Sequence, residues 1–131
     1  MKSSALLILA ASALSACATN RPAPLVEQGY QRGALGVAAI HRHDWAAAEK
    51  ALMKMHGVRH DDPARLINLG HVYMETKRRS EALSAWRLAL ASPRHFLVET
   101  VAGEAVSTQE LARRALALHD RDIRSAAADP R

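Results

Sequence analysis

Seven histidines and one cysteine are the side chains of this 131-residue chain best suited to site chemistry. His41-x-His43-Asp44 and His56-x-x-x-His60-Asp61-Asp62 have the spacing of metal ligands. His56 and His60 share a helical face only if one helix runs through Gly57, and Gly57-Val58-Arg59 has the composition of a helix end. With no third convergent ligand to name, solvated loop histidines are the competing reading, and no metal is assigned. His95 and His119 have no partner pattern. No Ser-His-Asp order, glycine-rich phosphate loop or paired-carboxylate spacing can be assembled, so no catalytic residue is assigned either. A protein that is not an enzyme and needs no cofactor is expected.

The cysteine sits in a more informative place. Lys2 is followed by the apolar run from Ala5 to Leu14 and then by Leu14-Ser15-Ala16-Cys17, the plan of an export signal. That run is well short of the roughly 20 residues needed to span a bilayer. Its end resembles a bacterial lipobox, which implies that residues 1–16 are a signal peptide and that Cys17 is acylated, with chains such as palmitate, as the first residue of the mature protein. The alternative is a plain secretory signal cut near Ala11-Ser12-Ala13, which leaves a free thiol in an oxidising compartment. Acylation consumes the only thiol, so packing alone must hold the fold. Several acyl chains give a stable anchor where one is marginal. By the same resemblance, Ala18 in place of Asp implies the periplasmic face of the outer membrane. Residues 17–28, with Asn20, Arg21, Pro22 and Pro24, read as a lipidated tether.

The elements that follow are expected to be helices. Alanine supplies 27 residues, aromatics only five, and β-branched residues are few, which favours helices packed through small side chains over an extensive sheet. Charged residues make up 24% and apolar ones 49%, as in a folded chain, and the length suits one domain. A 34-residue period relates Leu35-Gly36 to Leu69-Gly70 and Ala48 to Ala82, with Leu52 matched by Trp86, Met55 by Ala89 and Ala39 by Tyr73. This spacing resembles tetratricopeptide repeats (TPR). The second copy, residues 63–94, carries Leu66, Leu69-Gly70, Tyr73, Ala82, Trp86 and Ala89 at the family's intervals; the first, 29–62, lacks its aromatics, with Arg32 and Ala39 at those places. The resemblance covers about half of the chain. It implies two antiparallel helices per repeat, with Gly36, Gly70, Ala48 and Ala82 where axes approach and Leu52, Leu69, Tyr73 and Trp86 filling the layers between helices. Asp44, Asp62-Pro63, Gly57 and Ser92-Pro93 mark helix ends.

The period stops after two copies. Residues 95–107 carry β-branched residues on both sides of Ala102-Gly103, consistent with a small β-hairpin or an irregular apolar loop. Ser107-x-x-Glu110 reads as a capping box opening a fifth helix over 108–125, which would cap the second repeat, and 126–131 as a disordered tail. The expected architecture is therefore all-α for the most part, a two-repeat TPR-like helical hairpin solenoid with a C-terminal capping helix and a possible hairpin before it.

The resemblance also implies a concave groove lined by the first helix of each repeat. Carried over, its residues are Tyr30, Gly33, Val37, Ile40 and His41, then Ala64, Ile67, His71, Met74 and Glu75, with Asn68 matching one member of a carboxylate clamp whose other positions hold Gly33 and Val37. Such a surface suits a helix or an extended apolar segment better than an acidic tail. The competing reading is that the chain's own tether or last helix covers part of it. Removal of Lys2 with the signal leaves 17 basic against 13 acidic side chains, a net +4. Lys77-Arg78-Arg79 and Arg113-Arg114 are either solvated charge or an attraction for cell-wall polymer or another anionic surface. Nucleic acid is disfavoured, because no aromatics interleave these cations. The reading is a membrane-anchored periplasmic scaffold that binds a protein or peptide segment in an envelope, secretion or pilus assembly; its rival is a basic envelope factor binding polymer.

Overall fold

Short polar side chains open three of the helices. Asp44 accepts from the Ala47 amide at 3.0 Å, Asp62 from the Arg65 amide at 3.0 Å with Pro63 following it, and Ser107 from the Glu110 amide at 3.1 Å. Each cap satisfies an amide that has no partner within its helix, worth about 1 kcal/mol. The computed structural model describes residues 29–54 and 57–127, with side chains as far as residue 119. It is mostly helical: α1 (Val37–His41), α2 (Trp45–Met53), α3 (Pro63–Glu75), α4 (Arg79–Leu90), the strands β1 (Leu97–Glu99) and β2 (Ala105–Ser107), and α5 (Thr108–Ala127). Helix α5 takes in residues 126 and 127, two beyond the expected end. Among the described residues no helix is long and apolar enough to cross a membrane. The signal peptide and the whole of the tether, Cys17 included, lie outside the described residues, as do Met55, His56 and residues 128–131 of the expected tail.

The 34-residue period reappears in the backbone. Asp44 N–H donates to Ala39 at 2.9 Å and Arg78 N–H to Tyr73 at 2.8 Å; His43 N–H donates to Ile40 at 3.0 Å and Lys77 N–H to Met74 at 3.1 Å. These are equivalent pairs one period apart, and together they form the same left-handed helix stop, with His43 (φ 57) and Lys77 (φ 66) at the turning residue. Ala48 N–H to Asp44 and Ala82 N–H to Arg78 then open the next helix alike, at 2.9 and 3.0 Å.

The first copy departs from the expected helical hairpin. Residues 29–36 form turns, with Ala34 N–H donating to Gln31 and Gly36 N–H to Gly33, so Tyr30 and Gly33 are not on a helix and α1 has five residues. Gly36 has φ +66 and ends this run as the residue before α1; it also lies so close to α2 that a Cβ would stand 3.1 Å from the Ala48 carbonyl oxygen. Both features disfavour a side chain, and the positive φ interrupts the helix.

Helices α4 and α5 run antiparallel, since Ala89 clusters with Ala112, Trp86 and Ala82 with Ala115, and Arg79 reaches the His119 carbonyl at 2.9 Å. The strands pair antiparallel with Val98 opposite Val106. Both valines turn inward onto Leu35, Ala64, Leu66, Ile67, Leu111 and Ala112, so the hairpin is held by the core beneath it. One end of the bundle thus carries the starts of α3 and α5 and the end of α4. The far end carries the turns at His43 and Lys77.

Candidate functional site

Helix α3 lies between the first copy and α5, and its exposed surface changes along its length. Near its start the expected groove is filled. Ile67 is 2% exposed and packed with Leu35 and the hairpin valines, while Ile40 is 2% exposed among Leu52, Leu69 and Val72. Neither offers a partner an apolar surface: Leu35 of the 29–36 turns and the hairpin valines cover Ile67, and α2 and α3 close over Ile40. Asn68 is likewise internal at 1% exposed, donating from Nδ2 to the Leu35 carbonyl at 2.9 Å. It ties the N-terminal turns to α3 and is not a ligand for an external carboxylate. Tyr30 donates to the Asp62 carboxylate at 3.2 Å, and its burial together with that charge holds its pKa above the ordinary value. Val37 packs half-buried on the same core, and His41 is exposed at the far end.

The last turns of α3 differ. His71, Met74 and Glu75 are each half-exposed and follow one another on a helical face. Trp45, the first residue of α2, stands edge-on to His71 with ring centres 5.8 Å apart, and His43 stands edge-on to Trp45 at 5.2 Å. Met74 leans on the Ala82, Trp86 and Ala115 cluster together with Leu116. The structure therefore brings together His71, Met74 and Glu75, adds Trp45 and His43, and removes Ile40, Ile67 and Asn68 from the accessible set. A surface of aromatic and imidazole edges with one carboxylate can receive a segment carrying both apolar and hydrogen-bonding groups. Trp45 was missed because it reads from sequence as the residue after a cap; only the fold sets it beside His71.

The arginines are engaged with neighbours. Arg78 bonds Glu49 at 2.7 Å and Glu81 at 3.2 Å and covers the Tyr73 ring at 4.2 Å. Arg114 reaches Glu110 at 3.0 Å and Glu104 at 3.1 Å, and Arg113 also bonds Glu110. Arg114 and Arg113 together hold the Glu110 carboxyl below its usual range. Among the described residues, no group of three or more His, Cys, Asp or Glu side chains is placed to hold a metal ion.

Arg65 escaped attention as one more charge in a helix's first turn, yet it is 5% exposed. Its Nε donates to the Leu52 carbonyl at 2.7 Å and its Nη1 to the His60 carbonyl at 3.1 Å, fastening the end of α2 to α3. Burial lowers its pKa. Arg65→Met keeps the apolar stem and removes the donors, so it should cost about 1 to 3 kcal/mol. Thermal melts of the two proteins, with Arg65→Lys expected to fall between them, check this.

Comparison with protein-family models, with curated proteins and with solved structures finds no match.

Proposed function

We propose that this chain is an outer-membrane lipoprotein, anchored through Cys17 and facing the periplasm. Its TPR-like pair of helical units binds a protein segment within an envelope, secretion or pilus assembly. The observation that carries the module is the 34-residue period, written twice: in Leu35-Gly36 and Leu69-Gly70, and in paired helix stops at His43 and Lys77. Leu14-Ser15-Ala16-Cys17 supports the anchor. The binding surface in this reading is the end of α3, with His71, Met74 and Glu75 flanked by Trp45 and His43. It is smaller and more polar than an open two-repeat groove, and suits an affinity on the order of micromolar that membrane tethering makes effective. The reading involves no catalysis. Binding through a basic surface loses support from the ion pairs of Arg78, Arg113 and Arg114, because each carboxylate offsets the field that an anionic polymer would meet.

Two sets of substitutions test this by crosslinked capture from intact envelope. The pair His71→Ala and Glu75→Ala should lower partner capture about tenfold, the equivalent of 1.4 kcal/mol, at low and high salt alike. Lys77→Ala with Arg79→Ala should leave capture unchanged at high salt. The reverse pattern would make the protein an electrostatic binder.

A further inference from the structure

The exposed apolar side chains are unevenly distributed. Of the five large apolar side chains exposed among the described residues, Met53 (54%), Leu88 (59%), Phe96 (36%) and Leu97 (73%) lie on the half of the bundle that holds the start of α3, the ends of α2 and α4, and the root of the hairpin; the fifth, Val101, is at the hairpin tip. The same end receives the N-terminal chain, because Tyr30 bonds Asp62 at the cap of α3. Its loops are joined by charge. Asp61 accepts from Arg59 at 3.0 Å and from Arg94 at 2.9 Å, which sets the loop before α3 beside the segment leading into β1. Two guanidiniums share the Asp61 carboxylate there, and with exposed Lys54 the three cations exceed Asp61 and the capping Asp62 by one charge.

Apolar side chains projecting among cations are what an anionic lipid interface accepts: the hydrocarbon enters the boundary while the charges stay at headgroup level. The tether permits the geometry. From Cys17 to Gly29 the chain can reach no further than about 40 Å even when fully extended, and it enters at this end. We infer that the end of the domain bearing Met53, Phe96 and Leu97 with Lys54, Arg59 and Arg94 rests on the anionic lipid surface in which Cys17 is anchored. This rests on the lipoprotein reading. It orients α3 with its start toward the lipid and with His71, Glu75 and Trp45 pointing away from it, where a partner in the periplasm can reach them.

Depth-dependent quenching tests it. The full chain is expressed through its own signal and reconstituted into vesicles of phosphatidylethanolamine and brominated phosphatidylglycerol. Parent, Leu97→Trp and Ser80→Trp proteins are compared, Ser80 being exposed at the far end of α4. Acyl mass on Cys17 is measured on the same samples. Selective loss of the added emission in Leu97→Trp, with none in Ser80→Trp, is the expected result. An acylated chain in which the two added tryptophans are quenched equally, or not at all, overturns the docking and leaves the anchor standing. A chain without acyl mass overturns the anchor, and adding it to the same vesicles still decides the surface: quenching of Leu97→Trp alone supports it, and its absence rejects it.

Discussion

Trp86→Ala is expected to lower stability by about 3 to 5 kcal/mol through the cavity it leaves, a large part of the roughly 5 to 15 kcal/mol that such a domain possesses. The indole is 1% exposed, donates from Nε1 to the Ile67 carbonyl at 3.1 Å, and stacks on His119 with ring centres 5.1 Å apart. It therefore joins α3, α4 and α5. Its place depends on a missing side chain, since a Cβ on Gly70 would stand 2.3 Å from Nε1 and 2.6 Å from Cδ1. Gly70→Ala should accordingly cost about 1 to 3 kcal/mol by forcing the ring aside. In the Trp86→Ala background the sign should invert. The clash is gone, and alanine in mid-helix is favoured over glycine by about 1 kcal/mol. Denaturant melts of the four proteins measure the coupling. Additive effects would mean that the ring does not sit over Gly70.

Cys17→Ser is expected to remove acyl attachment and the stable membrane retention that depends on it. A serine hydroxyl does not replace the thiol in acyl transfer, and without acyl chains the surface contact of the domain is the only remaining attachment, reversible and weakened by salt. Fractionation of labelled cells should move the protein from the membrane to a soluble or uncleaved form without acyl label. A serine variant that stays in the outer membrane and still carries label contradicts the anchor.

What was legible in the sequence was local. Asp44, Asp62-Pro63 and Ser107 cap the helices they precede, since a cap needs only the next three amides. Gly70 stands at a close approach, as the repeat pattern implies, although its nearest neighbour is the Trp86 ring and not a bare helix backbone. Where sequence reading failed, distant segments decide. Ile40 and Ile67 sit at spacings that would face a groove, but Leu35 and the hairpin valines cover Ile67, and Leu52, Leu69 and Val72 enclose Ile40. Strands of three residues carry too few side chains to separate hairpin from loop, and the choice is made by Val98 and Val106 meeting Leu66 and Leu111. His43 and Lys77 are turning residues without being glycine, so composition does not announce the stops they form.

A photo-reactive residue placed at the far end of α3 tests partner binding most directly. Glu75→p-benzoylphenylalanine, introduced into the otherwise native chain and irradiated in intact cells, should yield one discrete protein adduct. Ser84→p-benzoylphenylalanine, on the exposed side of α4, should yield none, and the adduct from position 75 should disappear when Cys17 is also replaced by serine. No adduct from position 75, or equal adducts from both positions, would contradict a tethered module that binds its partner through the end of α3.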